Sequence, residues 1–134
     1  MFDKAAPRSG PGSAKAAGDA AEAAALRYLQ AQGLGLVARN YRVARGPRAR
    51  AGEVDLVMRE PDGTLVFVEV RRRASVTHGG AAASVGAAKQ RSLVLAAQHY
   101  LRRFASPPPC RFDVVAIDGA AIDWLRGAFD AAAW

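Results

Sequence analysis

The sequence predicts an α/β fold with element order α-β-β-β-α-β, a mixed central sheet flanked by helices. Three observations carry this reading. Residues 13–32 and 85–104 have helical patterning, the apolar runs 53–59 and 64–72 flank a Pro61-Asp62-Gly63 turn, and RFDVVAID at 111–118 is a further apolar run. Helices interleaved with such strands pack as layers around one core.

Taken in order, the stretch MFDKAAPRSGPG is small and polar, so residues 1–12 read as a disordered tail and 13–134 as a single domain. The first helix is alanine-dominated, with Leu26 and Leu29 as larger contacts and Gly33 as its stop. LGLVARNYRV, residues 34–43, is a short strand, and ARGPRARAG, residues 44–52, an arginine-rich loop. That loop is either a solvated connector or a phosphate-contacting flap. The next two strands form the best hairpin signal in the chain. Proline presets the first turn position, aspartate suits the second, and glycine takes the left-handed one. Residues 78–86 are a glycine-rich loop. The second helix carries an apolar stripe of Leu93, Ala97, Tyr100, Leu101 and Phe104, and Pro107-Pro108-Pro109 stops it. The tail AIDWLRGAFDAAAW is expected to make one or two helical turns and tuck its tryptophans against the body.

The 134 residues suit one core, and the 51% hydrophobic fraction supports it, although much of that fraction is alanine. The net charge of +7 favours an anionic partner, with nucleic acid first and a membrane surface second. Cys110 is the only cysteine, which excludes an internal disulfide and any CxxC metal site and fits a reducing cytoplasm. No apolar run approaches the ~18–20 residues of a membrane span, so no membrane span is expected, and nucleic acid rather than a membrane is the expected partner. There is no nucleophile elbow, phosphate loop, zinc finger, base-reading helix signature or stacking platform.

The hairpin carries acids where a core strand normally excludes them: Glu53, Asp55 and Glu69. With a three-residue loop, Glu60 faces Thr64, Asp55 faces Glu69, and Glu53 faces Arg71. Side chains two apart share a strand face, so these four gather on one face, while Val54, Leu56 and Met58 meet Val66, Val68 and Val70 on the other. Carboxylates directly opposite repel by a few tenths to about 1 kcal/mol, and by more in a dry site. A hard cation such as Mg²⁺ or Mn²⁺, held by Asp55 and Glu69, relieves the conflict and can activate a phosphodiester. The plainer alternative is a solvated face with Glu53 paired to Arg71.

GEVDLV at 52–57 followed by LVFVEVRRR at 65–73 resembles the YraN-like family of bacterial proteins, grouped with restriction-endonuclease-like folds and distantly similar to archaeal Holliday-junction resolvases. Gly18 and Glu22 ahead of Tyr28-Leu29, then Asn40-Tyr41-Arg42, Lys89-Gln90-Arg91 with Tyr100-Leu101, and Arg111-Phe112-Asp113 extend the likeness over residues 18–118. The resemblance implies a nuclease motif of Asp55, Glu69 and, where the family has lysine, Arg71. It implies Glu22 as an assisting metal ligand and Glu53 as a supporting acid. It also implies DNA as partner, branched DNA foremost, and a homodimer, since resolvases of this fold cut twice.

Arg71 is a departure from that motif. Arginine stays charged and cannot be a general base, but it can clamp a phosphate. Either the metal alone activates water, or catalysis is lost and binding remains. Lys89 offers a displaced amine or is a plain surface lysine. Gln90 contacts a phosphate or water, or is merely solvated. Arg45, Arg48, Arg50, Arg72 and Arg73 would line a nucleic-acid backbone without reading its sequence. His78 and His99 are read as incidental. The expected protein is thus a cytoplasmic metal-dependent endonuclease. The alternatives are a non-catalytic nucleic-acid-binding module of the same fold and a protein-interaction domain.

Overall fold

The computed structural model describes residues 11–44, 51–72 and 85–131, with side chains in the first helix from Lys15 onward. Arg45, Arg48, Arg50, Arg73 and His78 lie outside these residues, as does Trp134.

The elements are α1 (Pro11–Ala31), β1 (Gly35–Val43), β2 (Gly52–Arg59), β3 (Leu65–Arg72), α2 (Ala87–Leu101), β4 (Cys110–Asp118) and β5 (Ala121–Phe129). The expected α-β-β-β-α-β order is present, with a fifth strand added. The sheet runs β1-β2-β3-β4-β5, antiparallel except for the β3/β4 pair. A parallel pair needs a long crossover, and α2 supplies it. Among the described residues no helix is long and apolar enough to cross a membrane.

One helix covers each face. On the α1 side, Ala25 and Leu29 pack on Leu56, Met58, Val66, Val68 and Val115. On the α2 side, Leu93, Ala96, Ala97 and Tyr100 pack on Val54, Val57, Leu65, Phe67 and Val114. Alanine lets each helix approach closely. Gly52 shows how closely, for a Cβ placed there would lie 2.7 Å from the backbone nitrogen of Ala96. The second helix is shorter than the expected 85–104. Its last turn tightens into i→i+3 bonds, with the N–H groups of Arg102, Arg103 and Phe104 donating to His99, Tyr100 and Leu101 carbonyls.

The tail is a correction. Residues 121–129 form an edge strand against β4, not helical turns. Asp118 and Ala121 pair around a two-residue loop whose first residue, Gly119, has φ +59°, the position type II′ turns reserve for glycine. Gly127, also at φ +59°, bulges the strand, and the buried Asp113 carboxylate holds that bulge by accepting from Gly127 N–H and Trp124 Nε1, each at 2.9 Å. Trp124 packs on the α1-side core, as a tucked tryptophan would.

Candidate active site

The β2–β3 turn forms as its residues dictate. Glu60 N–H donates to Thr64 O, Thr64 N–H donates to Asp62 Oδ1, and Gly63 sits at φ +95°. The register follows: Arg59 opposes Leu65 and Leu56 opposes Val68. Continuing the count sets Asp55 against Glu69, but ladder pairing stops at Leu56. Beyond it the Asp55 carboxylate takes the next N–H of β3, accepting from Val70 N–H at 2.8 Å. The strands therefore end their pairing at the two acids, with a side chain in place of a backbone acceptor.

Strict alternation fails at the same level, which corrects the expected faces. Arg39 reaches Glu22 of α1, whereas Tyr41 packs edge-on against Tyr100 of α2. Residues two apart thus face opposite ways. Between them Asn40 adopts a left-handed conformation (φ 51°), which asparagine tolerates better than most residues and which turns the strand over. The partner strand turns with it: Val54 joins the α2-side core and Leu56 the α1-side core. Asp55 lies between the two and sees carboxylates from both sides of the sheet, Glu22 from the α1 face and Glu69 from the α2 face.

Glu69 is buried, with only 5% of its side chain exposed. Its pKa is pushed up to about 8, first by burial and then by the Asp55 charge, while Lys89 and Arg71 pull it down. A hydrogen bond with Asp55, open only while Glu69 holds its proton, adds to the rise. Arg71 Nε stands 3.2 Å from Oε2. Lys89 Nζ, from the first turn of α2, stands 3.6 Å from Oε1, an ion-pair distance but too long for a hydrogen bond, so that buried oxygen has no donor. Glu22 repeats the pattern more weakly. Burial and Asp55 raise its pKa, an Asn40 hydrogen bond and Arg39 lower it, and its Oε1 is buried without a hydrogen bond.

Five of the seven predicted catalytic and metal-binding residues meet here: Asp55, Glu69, Arg71 and Lys89 directly, and Glu22 through Asp55. Glu53 stands opposite Arg42 of β1, and the ladder to β3 that would set it against Arg71 ends at Leu56. Gln90, for which a phosphate or water contact and plain solvation were both open, donates from Nε2 to Val85 O just ahead of the helix, at 2.9 Å. Arg72 is exposed at the end of β3. Asn40 was quoted in the resemblance but not assigned to the site. An asparagine amid a strand pattern is its only sequence signal.

The residues fit a divalent cation in part. Two crowded carboxylates and two buried, undonated oxygens are a donor set short of positive charge. Among the described residues, no three acid, histidine or cysteine groups stand close enough to make a metal site by themselves. Mg²⁺ keeps several waters and needs as few as one or two carboxylates, so Asp55 and Glu69 meet that lower requirement.

Residues 21–117 match the Uncharacterised protein family UPF0102. A UPF0102 protein of Methylibium petroleiphilum is 68% identical over 117 residues, covering 87% of this chain and 96% of the relative. One from Albidiferax ferrireducens is 58% identical, covering 90% and 91%. One from Cupriavidus taiwanensis is 57% identical, covering 89% and 86%. The family likeness drawn from GEVDLV and LVFVEVRRR thus holds across most of the chain, which belongs to UPF0102, the YraN-like family.

Proposed function

We propose that the protein binds nucleic acid, DNA foremost, and hydrolyses its phosphodiester bonds with Mg²⁺ or Mn²⁺ held by Asp55 and Glu69, on a restriction-endonuclease-like core. The observation that carries this is Glu69: a carboxyl buried beside the carboxylate of Asp55 and raised to about 8. Such crowding is unfavourable for folding alone and is relieved by a cation.

When bound, the cation supplies Lewis acidity toward a phosphoryl oxygen and makes a water more nucleophilic. The chain supplies the rest. Val70 N–H fixes one Asp55 oxygen, so the carboxylate is aimed before any ligand arrives. Glu69 would have to give up its proton to hold the cation. Arg71 stays charged and offers paired N–H donors to a phosphate, and Lys89 brings a second cation from another element. Glu22 stands behind Asp55 as a further acceptor.

The test is cleavage of duplex, single-stranded and branched DNA with and without Mg²⁺ or Mn²⁺, with Asp55→Asn and Glu69→Gln beside the parent. Cleavage that requires the metal and is lost in both variants is expected. Cleavage surviving both would overturn the reading.

A second reading has its own observation. Arg71 and Lys89 both already stand against Glu69, at 3.2 and 3.6 Å, and part of its charge is answered without metal. A nucleic-acid-binding module without catalysis would be built this way. Salt-dependent DNA binding with no heat of Mn²⁺ binding in calorimetry selects it.

A further inference from the structure

The charges of this chain are segregated. No aspartate or glutamate occurs in residues 23–52 or 70–112. The first interval contains all of β1, the second all of α2, and these two elements pack on each other through Tyr41 and Tyr100, with ring centroids 5.3 Å apart. The α2 side of this pairing therefore bears Arg91, Arg102 and Arg103 with no acid from either element.

A hollow of about 410 Å³ opens on this face, lined by Val43, Ala44, Leu95, Gln98, His99 and Arg102. Its polar lining is made of groups that can donate. Arg102 follows the last residue of α2, is exposed, and has no ion-pair partner among the described residues. His99 is oriented from behind: Tyr41 Oη lies 2.6 Å from Nδ1, while Arg103 Nη2 lies 3.5 Å from the same oxygen. Arginine can only donate, so the Tyr41 oxygen accepts from Arg103, and its hydrogen bond with Nδ1 fixes the His99 ring. Arg103 is held in turn by stacking 3.8 Å over the Tyr100 ring and by donating to Tyr100 O at 3.1 Å. Among the described residues the rest of the lining is apolar, Val43, Ala44 and Leu95. Volume, donors and floor suit one phosphate-sugar unit of a nucleic-acid strand.

We infer that this hollow is a second nucleic-acid contact, separate from the candidate active site, in which Arg102, Gln98 and His99 take a backbone phosphate and its sugar. The inference rests on the nucleic-acid reading above and adds where the strand runs. Lys89, beside Glu69, and Arg102, which caps the C-terminal end of the same helix, are thirteen residues apart, about 20 Å along its axis. Phosphates of one duplex strand rise about 3.4 Å each, so one helix would touch a duplex at two points roughly six base pairs apart.

The experiment is binding of a fluorescently labelled duplex by anisotropy over a range of salt. The proteins are the parent chain, Arg102→Glu, Gln98→Glu and, as a control for net charge, Arg126→Glu on β5 at the other edge of the sheet. Arg102→Glu is expected to weaken binding at least about tenfold and to reduce the slope of log affinity against log salt by about one or more. Gln98→Glu should weaken binding in the same direction, and Arg126→Glu should do markedly less. Equal losses for Arg102→Glu and Arg126→Glu would overturn the contact while leaving nucleic-acid binding intact. A parent chain with no salt-dependent duplex binding would overturn both readings. If Arg102→Glu abolishes binding to phosphatidylglycerol vesicles and leaves duplex binding untouched, the face belongs to a lipid surface and the inference fails.

Discussion

The Asp55 carboxylate accepts a hydrogen bond from the Val70 backbone N–H at 2.8 Å, so an acidic side chain stands where the β2–β3 ladder would have supplied a carbonyl. One oxygen is fixed by the sheet itself, and the charge is held against Glu69 on one side and Glu22 on the other.

Asparagine at position 55 keeps an acceptor for Val70 N–H and removes the charge. Without metal, Asp55→Asn should therefore stabilise the fold, by about 1 kcal/mol, or roughly 3 °C in melting temperature. It should also abolish stabilisation by Mg²⁺. Asp55→Ala separates the two effects, because it strands a part-buried N–H and should destabilise by about 1–3 kcal/mol. Thermal melts with and without Mg²⁺ read all three; undiminished Mg²⁺ stabilisation in Asp55→Asn would count against the ligand pair.

Glu69 predicts the pH dependence of folding. Its carboxyl ionises near 4.5 in an unfolded chain and near 8 in the fold. Between those values the native protein holds a proton that the unfolded chain has lost, so stability falls as pH rises. The contribution is fully present below about 4.5 and gone above about 8, a change on the order of a few kcal/mol. Urea midpoints across this window should fall with pH in the metal-free parent, fall less with Mg²⁺, and stay nearly level in Glu69→Gln. The same slope in Glu69→Gln would assign the dependence to another group.

Gly52 sets how near α2 can lie to β2. A methyl group there would meet Ala96 N at 2.7 Å and Ser92 O at 3.1 Å, and both are backbone atoms that cannot swing aside. Gly52→Ala should cost about 1–3 kcal/mol, read as a lower urea midpoint.

The hairpin register was legible because its cause is local. Pro61, Asp62 and Gly63 each suit one turn position, and a fixed turn fixes the pairing from Arg59↔Leu65 to Leu56↔Val68. The faces beyond that point were not legible, because counting by twos assumes unbroken strands and Asn40 breaks the count with a left-handed residue. That break separates Val54 from Leu56 and leaves Asp55 between the faces. The last strand failed for a related reason. Ile122 and Trp124 alternate properly, but the Gly127 bulge hides the period, and alanine and leucine nearby read as helix. The Asp118-Gly119 turn was its visible signal.

Asp113 should matter to that strand more than any apolar residue in it. Its buried carboxylate accepts from Arg111 Nε at 3.0 Å as well as from Trp124 and Gly127. Asp113→Ala leaves these donors unanswered at once and should cost about 3–5 kcal/mol. Hydrogen exchange should show the β5 amides losing protection before those of β2 and β3. Uniform loss across the sheet would mean that Asp113 supports the whole core and not the edge strand alone.

Lys89 and Arg71 divide the possible chemistry between them. Both stand against Glu69, yet only an amine can be tuned toward neutrality; a guanidinium stays protonated. If the proposed cleavage needs a proton acceptor, Lys89→Met should reduce its rate by about a hundredfold or more, and Arg71→Lys should sustain it. If the two cations serve only to neutralise, Lys89→Arg should retain activity and Arg71→Met should lose as much as Lys89→Met. Either removal also deprives buried Glu69 of a counter-charge and should move its titration further up, by the signs of their present effects. The pH profiles of cleavage and stability then shift together. A cleavage profile indifferent to Lys89→Met, in a variant whose stability profile has moved, would confine Lys89 to electrostatic support.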